Sequence, residues 1–325
     1  MRIEVATLDE KKPGPGWARF FHESWPEYRD WFLQEGERAR PTYLASRRAL
    51  QTHMPELVET YGQLVDLGGG TDLVARGLAL YCPPPYLTSS SQAVWTRDTP
   101  MLVRNYDYAP ALWERLLVRT DWCRPVLGMS DCLWGLLDGI NDAGLCVSLS
   151  FGGRKQVGVG FGIPLILRYV LETCDTTSQA AAVLCRVPTH MSYTITILDR
   201  EADFATVFVT PDHGATVTRH PVATNHQERV EWSTHASSTR SVERLAALSA
   251  RLEDPEESPE RFIDRFLEAP AYGTRLEQGY GTLYTAVYRP ALGSLSLIWP
   301  KHRWEQSLDR FENETFVVDL DAART

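Results

Sequence analysis

Hydrophobic and polar positions along this chain switch between a helical period and a strand period, and Gly and Pro mark most of the switches. Apolar residues recur at helical spacing through Trp17–Phe21, Tyr28–Phe32 and Tyr43–Tyr61, the last interrupted near Pro55 and ended by Gly68-Gly69-Gly70. A further helix is expected over Asp72–Leu80. Pro83-Pro84-Pro85 then predicts a rigid, extended connection, because proline fixes its own φ and lacks the N–H a ladder needs. Beyond it, Gln92–Trp95 and Met101–Val103 are apolar enough to pair, and Thr96-Arg97-Asp98-Thr99-Pro100 between them carries turn chemistry. An antiparallel hairpin follows.

After the hairpin the pattern turns to strands, with Cys146–Phe151 behind a glycine turn. Pro164–Glu172 reads as a helix with proline in its first turn, and Asp175-Thr176-Thr177 caps a second helix over Ser178–Leu184. Strands resume at Tyr193–Leu198 and Phe204–Val209. Ser241–Leu252 and Glu260–Leu267 are predicted helical, the second capped by Ser258, and the last third returns to strands at Thr282–Tyr288, Ser294–Trp299 and Thr315–Leu320. Strands and helix pairs in this order predict an α+β protein, a four-layer α/β/β/α sandwich preceded by an N-terminal helical segment. The expected division is a helical pro-segment or small subunit, residues 1–89, and a catalytic domain, residues 90–325.

The hairpin is where chemistry is densest. Thr88-Ser89-Ser90-Ser91 opens its first strand and Arg104-Asn105-Tyr106-Asp107 ends its second, so pairing brings hydroxyls, a guanidinium and a carboxylate to one end of a sheet.

Those residues resemble the opening of the N-terminal-nucleophile (Ntn) hydrolases of the choloylglycine hydrolase and penicillin-precursor acyltransferase kind. Three later stretches resemble the same family in order: Asp138-Gly-Ile-Asn-Asp-Ala-Gly-Leu145, Ala223-Thr-Asn-His226 and Ser238-Thr-Arg-Ser241. Where the family usually has Gly-Cys, this chain has hydroxyl residues, and the best match aligns Ser90 with the nucleophile; Thr88, Ser89, Ser91 and Cys82 stay open as alternatives. The resemblance implies that the chain cuts itself to make the nucleophile a new N-terminus, whose α-amine, with an ordinary pKa of about 7.7 to 8.0, serves as the base. It further implies that Asp107 holds that amine, that Arg104 stabilises the nucleophile and the carbonyl region, and that Asn225 donates to the oxyanion. Ser150 stands where relatives carry an oxyanion asparagine. Arg240 matches the family's late arginine, with Arg244 nearby. The implied function is hydrolysis or transfer of the acyl group of a small acyl-amide or thioester, without metal or cofactor. A processing-incompetent relative that only binds small molecules, and an internal Cys82 hydrolase, are the rival readings.

Composition narrows the rest. A formal charge of −9 without Lys/Arg runs gives nucleic acid nothing to bind, and no segment approaches the uncharged apolar length of a membrane span. With no apolar core of a signal peptide after Met1, the expectation is a soluble cytoplasmic protein, homo-oligomerisation being left open. Six cysteines without a C-x-x-C pair are expected as buried thiols. No histidine spacing suggests zinc. Gly158-Val-Gly-Phe-Gly162 lacks nucleotide-loop spacing and Gly68-Gly-Gly-Thr71 lacks the lysine of a phosphate loop, so both are turns.

Overall fold

The computed structural model describes residues 1–320. The chain begins with a strand, β1 (Arg2–Glu10), followed by α1 (Pro15–Phe32), α2 (Tyr43–His53), α3 (Val58–Leu67) and α4 (Asp72–Leu78). The hairpin is β2 (Ser89–Trp95) and β3 (Met101–Tyr108); a meander follows of β4 (Leu116–Asp121), β5 (Pro125–Asp131), β6 (Gly135–Asn141) and β7 (Cys146–Phe151). Next come α5 (Ile163–Thr173), α6 (Thr177–Arg186), β8 (Tyr193–Leu198), β9 (Phe204–Thr210), β10 (Gly214–Thr218) and β11 (Val222–Ala223). The chain closes with α7 (Ser233–Ser238), α8 (Ser241–Glu253), α9 (Pro259–Arg265), β12 (Gly281–Arg289), β13 (Ser294–Trp299), β14 (His302–Ser307) and β15 (Phe316–Asp319).

These strands form two sheets. One has nine strands in the order β10-β9-β8-β7-β6-β5-β4-β1-β15, the other six in the order β11-β2-β3-β12-β13-β14. α5 and α6 cover the outer face of the larger sheet and α8 and α9 that of the smaller, which gives the expected α/β/β/α layers. The main core, including Val94, Leu102, Leu149 and Ile195, lies between the sheets; a second, with Trp95, Val103, Leu248 and Phe262, lies under α8 and α9. α5 packs closely because two glycines face each other across β5 and β6: Gly128 pairs with Gly139, and a Cβ on Gly139 would meet Leu171 Cδ1 at 2.7 Å.

The N-terminal segment differs from the helical leader that was expected. β1 pairs parallel with β4 and antiparallel with β15, and its Ile3 and Val5 are buried. The alternation of Arg2, Ile3, Glu4 and Val5 is that of a half-buried strand. The Asp138–Leu145 turn is also shorter than read, since Asp138–Asn141 belong to β6. Among the cysteines, all free, Cys132, Cys146 and Cys174 are buried as expected, whereas Cys123 and Cys185 are exposed. No helix among the described residues is long and apolar enough to cross a membrane.

Candidate active site

Hairpin register decides which side chains can meet. Ser89 lies opposite Asp107, Ser90 opposite Tyr106 and Gln92 opposite Arg104. Residues opposite each other share a face and neighbours along a strand alternate. Ser89 and Asp107 therefore face α8 and α9, as do Asn105, whose amide donates to the Phe266 carbonyl at 2.7 Å, and Trp95, packed on Phe262. Ser90, Gln92 and Arg104 face the other sheet, where Gln92 donates to the Thr194 carbonyl at 3.1 Å. Arg104 and Asp107 are three positions apart, an odd spacing, so the guanidinium and carboxylate that sequence reading placed together lie on opposite faces.

The outward cluster is built on Ser89. Its Oγ accepts from Asn225 Nδ2 and from Arg244, the latter at 3.3 Å, while another nitrogen of Arg244 pairs with Asp107. The second Asp107 oxygen accepts from Thr282 at 2.6 Å, and Thr282 in turn accepts from the Gly273 N–H at 2.7 Å. Asn225 Oδ1 receives the Ser90 N–H at 2.9 Å, so one amide bridges both serines. It sits there because Val222 and Ala223 pair with Ala93 and Gln92 as β11, which leads the following turn alongside the start of β2. Thr224 locks that turn to α8 through the Ser241 carbonyl at 2.9 Å. Arg240, at φ 53°, turns the chain into α8, and Arg244 one helical turn later points back at the serine. The Tyr280 hydroxyl, on an exposed side chain, also comes within reach of Ser89. Asp107, Arg244 and Tyr280 border a cavity of about 200 Å³.

The inward cluster is built on Arg104. One of its nitrogens meets Ser90 Oγ at 3.1 Å; the other pairs with Asp138 and meets Tyr284 at 3.2 Å. Asp138 also accepts from Tyr284 at 2.7 Å and from Tyr288, and both charged side chains are fully buried. An ion pair removed from water needs such extra donors to offset its lost hydration. Burial, and next the charge of Asp138, push both phenols up, keeping them as donors. Ser90 Oγ donates to the Ser89 carbonyl at 2.6 Å.

The remaining candidates separate cleanly. Ser150 donates to the Thr224 carbonyl at 2.9 Å and so props the turn that carries Asn225. Of the two late arginines, Arg244 reaches the cluster; Arg240 stays at the cavity rim, exposed and paired with Glu243. Thr88 is buried, its hydroxyl has no partner among the described residues, and it lines a separate cavity under α1. Cys82 precedes the strand, at φ 47°, and burial pushes its thiol up, away from the thiolate a nucleophile needs. Sequence reading did not foresee Asp138, Thr282, Tyr284 or Tyr288 as partners. Their signal is the alternation of Tyr284, Ala286 and Tyr288 along β12, which puts both phenols on one face.

A family model described as acyl-coenzyme A:6-aminopenicillanic acid acyl-transferase matches residues 94–304. Among solved structures, a mutant of conjugated bile acid hydrolase from Clostridium perfringens superposes with a TM-score of 0.50 at 12% identity, covering 71% of this chain and 97% of that one. The Caenorhabditis elegans N-acylethanolamine-hydrolyzing acid amidase ortholog gives a TM-score of 0.47 at 17% identity, covering 71% and 100%. Penicillin V acylase from Agrobacterium tumefaciens gives 0.42 at 15%, covering 73% and 87%. No curated protein matches the chain.

Proposed function

Because the chain belongs to the acyl-coenzyme A:6-aminopenicillanic acid acyl-transferase family, within the Ntn-hydrolase superfamily, we propose that it hydrolyses or transfers the acyl group of a small acyl-amide or thioester through an ester on a self-exposed N-terminal serine. The observation that carries this reading is the convergence of Asn225, Arg244 and Asp107 on the face of Ser89. Ser89 is accordingly the proposed nucleophile. Its Oγ attacks the Thr88 carbonyl carbon, the Thr88–Ser89 C–N bond breaks to leave an ester on Oγ and a free Ser89 α-amine, and water then cleaves the ester to the Thr88 carboxylate and the Ser89 hydroxyl. That amine, opposite Asp107 in the ladder, then takes the Ser89 hydroxyl proton as Oγ attacks the substrate carbonyl and delivers it to the leaving amine. Asn225 Nδ2 and Arg244 donate to developing negative charge. Water or an acceptor amine finally takes the acyl group.

A second reading keeps Ser90 as nucleophile. What favours it is its Oγ resting on the Ser89 carbonyl, with its N–H on Asn225 and Arg104 beside it. Intact mass under denaturing conditions and N-terminal sequencing separate the two. The expected result is fragments beginning at Met1 and Ser89, with Ser89→Ala uncut and inactive and Ser90→Ala still cut. A fragment beginning at Ser90 moves the nucleophile by one residue; one uncut chain without amide turnover favours a small-molecule binder.

A further inference from the structure

We infer that the cavity roofed by α1 binds a ligand's ammonium group, and hence that the acyl component of the substrate is a short aminoacyl group. The cavity encloses about 250 Å³ between α1, the segment entering β2 and the end of β5. Its walls are aromatic: Trp31 and Tyr86 meet edge to face at 5.9 Å, and Trp113, whose ring stacks on Tyr284 at 5.5 Å, lines it too. Ring faces attract cations, and more strongly where water is excluded.

Three carboxylates line the space, Glu27 at its exposed rim and Glu114 and Asp131 deeper in. Glu114 is satisfied, accepting from Leu133 N–H at 2.6 Å, Ser130 Oγ at 2.7 Å and the Tyr28 hydroxyl. Asp131 is buried, and among the described residues its carboxylate accepts from the thiol of its own neighbour Cys132 at 3.8 Å, whereas the Cys132 N–H donates to the Tyr28 hydroxyl at 3.2 Å. The guanidinium nearest in effect, Arg104, is already clamped on Asp138, and Arg115, the cation among the lining residues, is exposed at the rim. Burial, and next the charge of Glu114, push the Asp131 carboxyl up to about 8. A proton on Asp131 thus stands in for the positive charge that an ammonium would supply.

A second and independent observation points to a ligand. Thr88 Oγ1 and Trp113 Nε1, each on a residue 3% exposed, line the same cavity and have no hydrogen-bond partner among the described residues. A buried polar atom left unpaired is unfavourable, so two of them lining one cavity suit a ligand with its own polar atoms. Assigning the cavity to the acyl side rests on the reading above, in which the Thr88 carbonyl is the first one attacked.

Calorimetric titration of the whole chain with pentylammonium, 1-pentanol and pentanoate tests the ammonium site without any bond being cut. Failure of the amide chemistry and failure of this inference are thereby distinguishable. Saturable one-to-one binding of pentylammonium, about ten-fold tighter than pentanol, is expected from desolvated cation–π and carboxylate contacts. Asp131→Asn should bring pentylammonium to the pentanol level with the far-ultraviolet circular dichroism unchanged. Should that variant not fold, the three ligands on the unaltered chain decide alone. Equal affinity for pentylammonium and pentanol, tighter pentanoate, or no saturation overturns the inference.

Discussion

At the scale of single residues, the buried pair of Arg104 and Asp138 and the carboxyl of Asp131 make opposite demands on charge. Asp138 pairs with a guanidinium and accepts from two phenols, and removing it strands a cation in the core. Asp138→Ala should therefore destabilise the chain by about 3–5 kcal/mol, and Tyr288→Phe by about 1 kcal/mol, both read from urea midpoints at constant slope. Asp131 behaves the other way. Its folded pKa of about 8 lies above its unfolded value, so between roughly pH 4 and 8 the unfolded chain gives up a proton that the folded chain keeps. Stability fully present below that window is lost as pH rises through it. Asp131→Asn, which cannot ionise, should flatten the fall and leave the variant more stable than the parent at pH 8, by thermal melting across the range.

At the scale of elements, several helix ends were readable because their signals are local. Thr176 accepts from Gln179 N–H at 3.3 Å and Ser258 from Arg261 N–H at 3.3 Å, as capping residues do, with Pro259 in the first turn of α9. The hairpin was readable for the same reason. What its pattern concealed is the face each side chain takes, since Arg104 and Asp107 look adjacent in sequence and lie on opposite sides of β3. The contact of α5 with the larger sheet depends on the facing pair Gly128 and Gly139. Gly139→Val would drive methyls into Leu171 and the Leu127 carbonyl, and should cost about 1–3 kcal/mol, measured by chemical denaturation.

At the scale of the whole molecule, the segment before Ser89 is integral to the sandwich. β1 lies between β4 and β15, and Trp17 of α1 donates to the Leu133 carbonyl at 2.9 Å. Removing it would open the edge of β4 and uncover core residues such as Leu117 and Val118. Cutting at Ser89 should accordingly leave two chains that elute as one species on size exclusion and part only in denaturant. Residues 89–325 expressed alone should aggregate.

Layer order, most helices and the hairpin follow from local pattern: period two or 3.6, proline where an N–H is dispensable, a hydroxyl at a cap. These are properties of neighbours in the chain, legible before any long-range contact is known. Asn225, Arg104 and Asp107 were legible as candidate site residues because their motifs resemble a known family's. Their partners were not legible. The choice of Arg244 over Arg240 is made by where α8 begins against β11, and the exchange of Ser90 for Ser89 in the outward cluster by strand register. Asp138 becomes the anion for Arg104 only because the two sheets press their inner faces together, where an unpaired guanidinium would be intolerable. Contacts of that kind join residues up to 180 positions apart, as between Arg104 and Tyr284, and only the tertiary structure decided them.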